Sequence, residues 1–236
     1  DVLQSLPVKI SSSNWVGENP SDIFDKSWML SADWPDYKAR FGNVKIVDLF
    51  SGCGGMSLGI AEACRALGKK PIHLLSVEWD AISGEVYNKN FNPRHQHIGD
   101  IVDLMSGDLS SPFSEQEKAL KTQVGKVDIL CGGPPCQGNS DLNNVTRRND
   151  PRNSLYERMA RAAEIFDPEC VLIENVPGVK RDKTGVFTKT INFLEELGYQ
   201  LQIVTLNAAD FGVAQSRKRT FVIALKEVSA LSHFEE

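Results

Sequence analysis

Apolar segments rich in β-branched residues recur along most of the chain, and most are separated from the next by a segment with the pattern of a single helix. Strands that alternate with single helices build a parallel sheet with helices on both faces. The pattern therefore predicts an α/β fold with a doubly wound, mostly parallel sheet. Strands are predicted over residues 44–50, 72–78, 96–98, 127–131, 170–173, 200–206 and 220–225, and helices over 56–67, 80–90, 154–166 and 186–197. Residues 101–126 are polar and helix-prone, and we interpret them as an insertion.

The carboxyl ends of the predicted strands are the expected binding region, because ligands of doubly wound sheets bind there. Polar and glycine-rich residues in the loops that follow the strands are therefore the candidates for a site. These loops, predicted to face one another along one rim of the sheet, come after Phe50, Glu78, Ile98, Cys131 and Ile173.

The first 43 residues differ from the rest of the chain, since they are rich in Ser, Asn, Asp and Pro and lack periodicity. They are predicted to form either an irregular N-terminal arm, held to the core by Trp15, Trp28 and Trp34, or a disordered leader. Residues 44–226 are predicted to form the α/β domain, and residues 227–236 a tail or the start of a further region. The chain does not begin with Met, which favours a fragment or a processed product.

Composition narrows the class of protein. No apolar run approaches the roughly 20 residues that cross a bilayer, and the first residues lack the basic and apolar regions of a signal peptide. Five cysteines without a C-x-x-C pair argue against a metal site or a disulfide framework and favour a reducing, intracellular compartment. A net charge of −5 disfavours a free-standing nucleic-acid binder but is compatible with a local basic patch.

The segment Gly132–Gln137 (GGPPCQ) follows the buried strand predicted over residues 127–131. Its two prolines fix φ at successive positions, so the thiol of Cys136 is held on a stiff backbone. Taken alone, a proline turn with an incidental cysteine is the more ordinary explanation. The residues in the neighbouring loops decide between the two.

The loops after the first three predicted strands suit a nucleoside. Glycines in the turn 51–55 let a ligand approach the backbone, but they do not have the G-x-G-x-x-G spacing of a pyrophosphate site. Glu78 is placed to accept both ribose hydroxyls, Trp79 to stack on an adenine, and Asp100 to accept from an adenine amino group. Each also has an ordinary structural explanation, which is a position beside a helix N-cap for Glu78, packing for Trp79 and loop capping for Asp100.

Two further loops supply charged groups to the same rim. Glu174 follows a buried strand and is a candidate proton donor, with a solvated rim carboxylate as the alternative. Arg217 and Arg219 alternate before the last strand and would face one way if extended, where they could hold a carbonyl oxygen or a phosphate. A solvated basic edge is the alternative there. Together with Cys136, these groups suit addition of a thiolate to an electron-poor ring.

These segments occur in the same order in the DNA (cytosine-5)-methyltransferases, which the chain strongly resembles over residues 44 to about 226. The matching segments are Asp48–Gly55, Glu78-Trp79, Gly99-Asp100, Pro134–Gln137, Asp150–Asn153, Glu174–Val176 and Gln215–Arg219. The resemblance implies the Rossmann-like fold of methyltransferases that use S-adenosylmethionine and release S-adenosylhomocysteine. It also implies methyl transfer to carbon 5 of a flipped-out cytosine in double-stranded DNA.

The resemblance assigns roles to residues of this chain. Cys136 would attack carbon 6 of the cytosine, and Glu174 would protonate or hydrogen-bond ring nitrogen 3. Arg217 and Arg219 would orient the base and a phosphate. The implied cofactor contacts are Phe50, Gly52, Gly54, Gly55, Glu78, Trp79, Asp100, Ile101, Pro134 and Leu155. The implied DNA contacts are Gln137, Ser140, Arg147, Arg148, Arg152, Asn175 and Gln215.

The chain departs from the family pattern in two ways. Asn139 stands where the family usually has an aromatic residue, and the chain ends without a target-recognition region or the late Gly-Asn block that completes the cofactor side. We therefore expect a second subunit or a missing C-terminal region, and weak, nonselective DNA binding by the chain alone.

The alternatives are a tRNA cytosine-5 methyltransferase of the same fold and, ranked last, a non-catalytic regulatory paralogue. The expected location is the bacterial cytoplasm or the eukaryotic nucleus.

Overall fold

A computed structural model describes residues 39–135, 154–181 and 185–227 of the chain. The chain divides into two units, Asp1–Asp36 and Tyr37–Glu236, and the first lies wholly outside the described residues. The predicted N-terminal arm and C-terminal tail therefore fall almost entirely outside them. Within the described ranges, no helix is both long enough and apolar enough to cross a membrane.

In the described part of the chain, seven strands form one sheet in the order β3-β2-β1-β4-β5-β7-β6. The strands are β1 (Asn43–Leu49), β2 (Lys70–Glu78), β3 (His95–Ile98), β4 (Ile129–Gly132), β5 (Cys170–Asn175), β6 (Gln200–Asn207) and β7 (Lys218–Leu225). The helices are α1 (Gly55–Ala66), α2 (Ala81–Phe91), α3 (Glu115–Val124), α4 (Ser154–Phe166) and α5 (Val186–Glu196). The predicted elements are confirmed, with ends that shift by a few residues.

Helices cover both faces of the sheet, as predicted. Asp48 of β1 faces α1 and α2, where it meets Ser57, while the next residue, Leu49, belongs to the core that contains Met159 of α4. Adjacent residues of a strand point to opposite faces, so α1 and α2 lie on one side and α4 on the other. The end of β4 is packed so closely against α4 that a Cβ at Gly132 would lie 2.5 Å from the sulfur of Met159.

Strand β7 is the exception to the parallel sheet, since it runs antiparallel to both β5 and β6. A short connection without a crossover helix joins β6 to β7, and such a connection suits antiparallel neighbours. The amino end of β7 therefore lies at the rim where the parallel strands end. Thr220 pairs with Asn175 at the end of β5, which brings the arginines that precede Thr220 to the same rim.

The interpretation of residues 101–126 as an insertion is wrong. They form the crossover that returns the chain from the edge strand β3 to β4 in the middle of the sheet. Leu120 and Val124 of α3 belong to the hydrophobic core, and Glu117 on the same helix is completely buried. Because one of the buried positions of α3 is a charged residue, the sequence of this core helix is as polar as that of a surface segment.

Candidate cofactor pocket and catalytic rim

A cavity of about 490 Å³ opens where β1, β2 and β3 end. Most of the predicted cofactor residues line it, namely Phe50, Glu78, Trp79, Asp100, Ile101 and Leu155. Val77, Gly99 and Pro135 also line it and were not predicted as contacts. Gly99 and Pro135 belong to segments that match the family, and Val77 directly precedes Glu78, so all three adjoin predicted contacts. The walls are therefore apolar and aromatic, with two carboxylates among them.

Glu78 is held in place by the backbone on both sides. Its Oε2 accepts a hydrogen bond from the Gly52 N–H at 2.7 Å, and its Oε1 accepts from the Asp80 N–H at 3.0 Å. Asp80 in turn caps α2 by accepting from the Ser83 N–H. Because each carboxylate oxygen has two acceptor positions, Glu78 can bind a ligand hydroxyl at each oxygen without releasing these bonds. The predicted structural and ligand-binding explanations are therefore compatible.

The glycines of the turn after β1 do not line the cavity, and cofactor contacts from them stay predictions. Gly54, with a φ of 93°, is the N-cap of α1, and a Cβ at this position would clash with the Phe91 ring. Gly52 supplies the N–H bound by Glu78. Phe50, which does line the cavity, has a φ of 57°, a conformation rare for a residue with a side chain. The turn thus aims Phe50 and Glu78 at the cavity.

Trp79 follows β2 and Asp100 follows β3, and both line the cavity. The Trp79 side chain is 73% exposed although it lines the cavity, so its indole presents an open face. Asp100 uses Oδ1 to accept from the Val102 N–H at 3.0 Å, which caps the short 3₁₀ helix Ile101–Asp103. An exposed aromatic face and a fixed carboxylate are the groups that a purine base requires.

A network of buried polar side chains joins the first two strands to the helices that cover them, and it was not predicted. The Ser57 hydroxyl donates to Asp48 Oδ2 at 2.6 Å and lies 2.8 Å from the Tyr87 hydroxyl, which is 3.1 Å from Nδ1 of His73. Burial raises the pKa of Asp48 to about 7 and lowers the pKa of His73 to about 4. The network ties β1 and β2 to α1 and α2, and so supports the turn that carries Phe50.

Glu174 and two arginines meet at the rim beside the cavity. The Nε of Arg219 lies 2.9 Å from Oε1 of Glu174, and Nη2 of Arg217 lies 3.5 Å from the same oxygen. The other oxygen, Oε2, faces the backbone at Gly133, where a Cβ would lie 3.4 Å away. The carboxylate is therefore held between the arginines and the segment that leads to Cys136.

Asn175 binds the backbone of the proline segment that precedes Cys136. It is 3% exposed, its Nδ2 donates to the Pro134 carbonyl at 3.4 Å, and its Oδ1 accepts from the Val176 N–H at 2.7 Å. Pro134 is itself buried and does not line the cavity, whereas Pro135 does. Contacts of Pro134 with cofactor and of Asn175 with DNA stay predictions, and the geometry suits a positioning role for both.

The remaining predicted site residues are exposed or undescribed. Gln215 is exposed in the connection between β6 and β7. The predicted nucleophile and the other predicted DNA contacts lie outside the described residues; these are Cys136, Gln137, Ser140, Arg147, Arg148 and Arg152.

Comparison with known proteins gives a consistent set of relatives. The family model described as C-5 cytosine-specific DNA methylase matches residues 44–236. Type II methyltransferase M1.BsuMI of Bacillus subtilis (strain 168) is 42% identical over 236 residues, which are 100% of this chain and 55% of that protein. Type II methyltransferase M.DdeI of Desulfomicrobium norvegicum is 39% identical over 188 residues, covering 78% of this chain and 41% of its own.

A solved structure agrees with these sequence relatives. A prophage-encoded DNA modification methyltransferase (E. coli) is similar with a TM-score of 0.59 and 32% identity, over 80% of this chain and 48% of that one. The chain therefore spans about half the length of the curated relatives that it matches.

Proposed function

The chain belongs to the C-5 cytosine-specific DNA methylase family, and from that premise we propose that it carries the cofactor pocket and catalytic residues of a DNA (cytosine-5)-methyltransferase. One observation carries the proposal. The cavity and the Glu174–Arg219 pair lie at the same edge of the sheet, on either side of the proline segment that continues into Cys136. A cofactor and a reacting base bound at these two places would meet beside Pro135, the residue that Cys136 follows in the sequence.

The chemistry of the cavity fits S-adenosylmethionine. Its lining offers carboxylate acceptors from Glu78 and Asp100, an open indole face from Trp79 and apolar walls, and it contains no Lys or Arg among the described lining residues. This set suits a nucleoside with hydroxyl and amino donors and a positive charge, and it does not suit a pyrophosphate. When bound, S-adenosylmethionine supplies an electrophilic methyl group, and S-adenosylhomocysteine is the product.

The residues of the chain would then act on the base. The Cys136 thiolate forms a bond to carbon 6 of the flipped-out cytosine, and the electron pair displaced onto the ring is stabilised by a hydrogen bond or proton from Glu174 to nitrogen 3. Carbon 5 takes the methyl group. A base then removes the proton from carbon 5, and the thiolate leaves as the ring regains its double bond.

The arginines would orient this carboxylate rather than merely neutralise it. Both guanidiniums lie at Oε1 of Glu174, whereas Oε2 faces Gly133 and the segment that leads to Cys136. A carboxylate held through one oxygen presents the other in a defined direction, as a pre-organised catalytic group requires. We therefore assign Oε2 as the oxygen that meets nitrogen 3.

Double-stranded DNA is the proposed substrate, and a role in restriction–modification is consistent with the names of the Type II relatives. Since the chain spans about half of those proteins, target recognition is assigned to a second subunit or to a further region of the same protein. An intracellular location, in the bacterial cytoplasm or the eukaryotic nucleus, stays a prediction.

Methyl transfer from labelled S-adenosylmethionine to duplex DNA and to tRNA tests the proposal. We expect label in the DNA, recovered as 5-methylcytosine, and none in tRNA. Label in tRNA alone would support the tRNA methyltransferase of the same fold instead. Tight cofactor binding with label in neither nucleic acid, when the target-recognition subunit or region is also supplied, is the result expected of a non-catalytic regulatory paralogue.

Glu78→Gln is expected to weaken binding of S-adenosylhomocysteine by about 10- to 100-fold, because hydrogen bonds to a charged group contribute about 1.5–3 kcal/mol. Isothermal titration calorimetry measures the change. Glu85→Gln is the matched control, since Glu85 is an exposed residue of α2 that pairs with Lys89 away from the cavity. Unchanged affinity in the Glu78 variant would contradict the assignment of this carboxylate to the ribose.

A further inference from the structure

We propose that His97 is a positioning residue, which fixes Asp100 so that its carboxylate accepts a hydrogen bond from the adenine amino group and so sets the preference of the pocket for adenine. The proposal rests on the adenosyl site proposed above. It goes further because His97 does not line the cavity, yet it is proposed to determine which purine base binds there.

The imidazole of His97 contacts the turn that carries Asp100. Its Nε2 is 3.2 Å from the Asp100 carbonyl oxygen and 3.7 Å from Oδ2 of Asp103. Both of these atoms are acceptors, so Nε2 must carry the hydrogen. His97 therefore donates to the main chain of the residue whose side chain faces the cavity.

Gly99 allows this close approach. It has a φ of 154°, and a Cβ at this position would lie 2.9 Å from Nε2 of His97 and 3.5 Å from Oδ2 of Asp103. Any side chain here would therefore push the imidazole away from the turn. The Gly99 N–H also donates to the Glu78 carbonyl at 2.9 Å. The turn is thus anchored to the end of β2 on one side and to His97 on the other.

These bonds leave a defined acceptor on Asp100. The Asp100 carbonyl accepts from the Asp103 N–H at 3.0 Å as well as from His97, and Oδ1 accepts from the Val102 N–H. Oδ2 is the oxygen that these bonds do not use, on a residue that lines the cavity. An adenine amino group donates to such an oxygen, whereas the carbonyl of hypoxanthine repels it.

The test is the ratio of the affinities for S-adenosylhomocysteine and S-inosylhomocysteine, measured by calorimetry on each variant of the chain. The wild type is expected to prefer the adenosyl ligand, and Asp100→Asn to lose that preference. His97→Asn is expected to lower the ratio by about three- to tenfold, the effect of one neutral hydrogen bond. Its amide is too short to reach the Asp100 carbonyl.

His97→Gln is the matched control, because its amide nitrogen reaches the position of the imidazole Nε2 and restores the donor. We expect it to keep the wild-type ratio. A general loss of stability weakens both ligands alike and leaves the ratio unchanged, so the ratio separates positioning from folding. His97→Leu, which keeps bulk and removes the donor, is the second variant and is expected to behave like His97→Asn.

The outcomes separate this inference from the proposed function. If Asp100→Asn lowers the ratio and neither His97→Asn nor His97→Leu does, the role of His97 is overturned while the adenosyl site stands. If the wild type does not bind S-adenosylhomocysteine, or binds both ligands equally, the adenosyl site fails and the role of His97 fails with it. A ratio lowered equally in His97→Gln and His97→Asn would also overturn the hydrogen-bond explanation.

Discussion

Cys136→Ser is expected to abolish methyl transfer, with kcat reduced by more than about 10³-fold, because a neutral hydroxyl is a far weaker nucleophile than a thiolate. The variant should also fail to form a denaturant-resistant adduct with a duplex that contains 5-fluorocytosine. Without its thiolate, the chain cannot form the bond to carbon 6 from which both results follow. Gel electrophoresis after denaturation detects the adduct, and transfer of labelled methyl groups measures kcat.

Cys53→Ser is the control for this experiment. Cys53 is an exposed free cysteine in the turn after β1 and does not line the cavity, so the same chemical change there should leave trapping and transfer intact. An adduct that persists in Cys136→Ser would refute the assignment of the nucleophile. Loss of the adduct in both variants would point instead to a general requirement for reduced thiols.

Arg161→Met is expected to destabilise the protein by about 3–5 kcal/mol, because it leaves the carboxylate of Glu117 buried without its partner. Both side chains are 0% exposed, and the guanidinium binds the carboxylate through Nε at 3.0 Å and Nη2 at 2.7 Å. The same guanidinium also donates to the Ser111 carbonyl and stacks 4.9 Å from the Phe113 ring. Denaturant unfolding measures the free-energy change.

Two further variants isolate the buried pair. Arg161→Met combined with Glu117→Leu should recover much of the lost stability, because an apolar replacement of both partners removes the buried charge. Glu115→Gln on the same helix removes an exposed pair with Lys118 and should leave unfolding unchanged. A single variant as stable as the wild type would contradict the view that the pair holds α3 to α4.

The same pair predicts a pH dependence. Hydrogen bonds from Arg161 lower the pKa of Glu117 from 4.5 to about 2 in the folded protein. A carboxyl whose folded pKa is depressed stabilises the fold above its unfolded pKa and loses that contribution as the pH falls. The stability difference between the wild type and Glu117→Gln should therefore narrow between about pH 4.5 and 2. A difference that stays constant over this window would contradict the ion pair.

The pair also explains why residues 101–126 were misinterpreted. Glu117 completes a capping box with Ser114, which is a pattern expected at the exposed start of a helix. Its buried carboxylate also binds Arg161, 44 residues later, which supplies the opposite charge. A local pattern cannot show a partner that far along the chain, so the sequence of this core helix resembles that of an insertion.

Most residues at the rim of the sheet were predictable, because each is placed there by the strand that directly precedes it in the sequence. Each parallel strand ends in the loop that follows it, so Phe50, Glu78 and Asp100 had to come to the same edge once the strands were recognised. The ion pair between Arg219 and Glu174 was not predicted, although both side chains were expected at this rim. It requires β7 to run antiparallel beside β5, which alternation of strands and helices does not predict.

The sequence by itself determined the elements, the fold class, the family resemblance and most of the residues around the cavity, since these follow from short-range patterns and from motifs within single loops. Tertiary structure alone decided which oxygen of Glu174 the arginines bind, that Asn175 braces Pro134, and that His97 lies under Asp100. The physical reason is that the face to which a side chain points follows from the local periodicity of its helix or strand. The partner that it contacts depends on strand order and register, which are set by the packing of the whole domain.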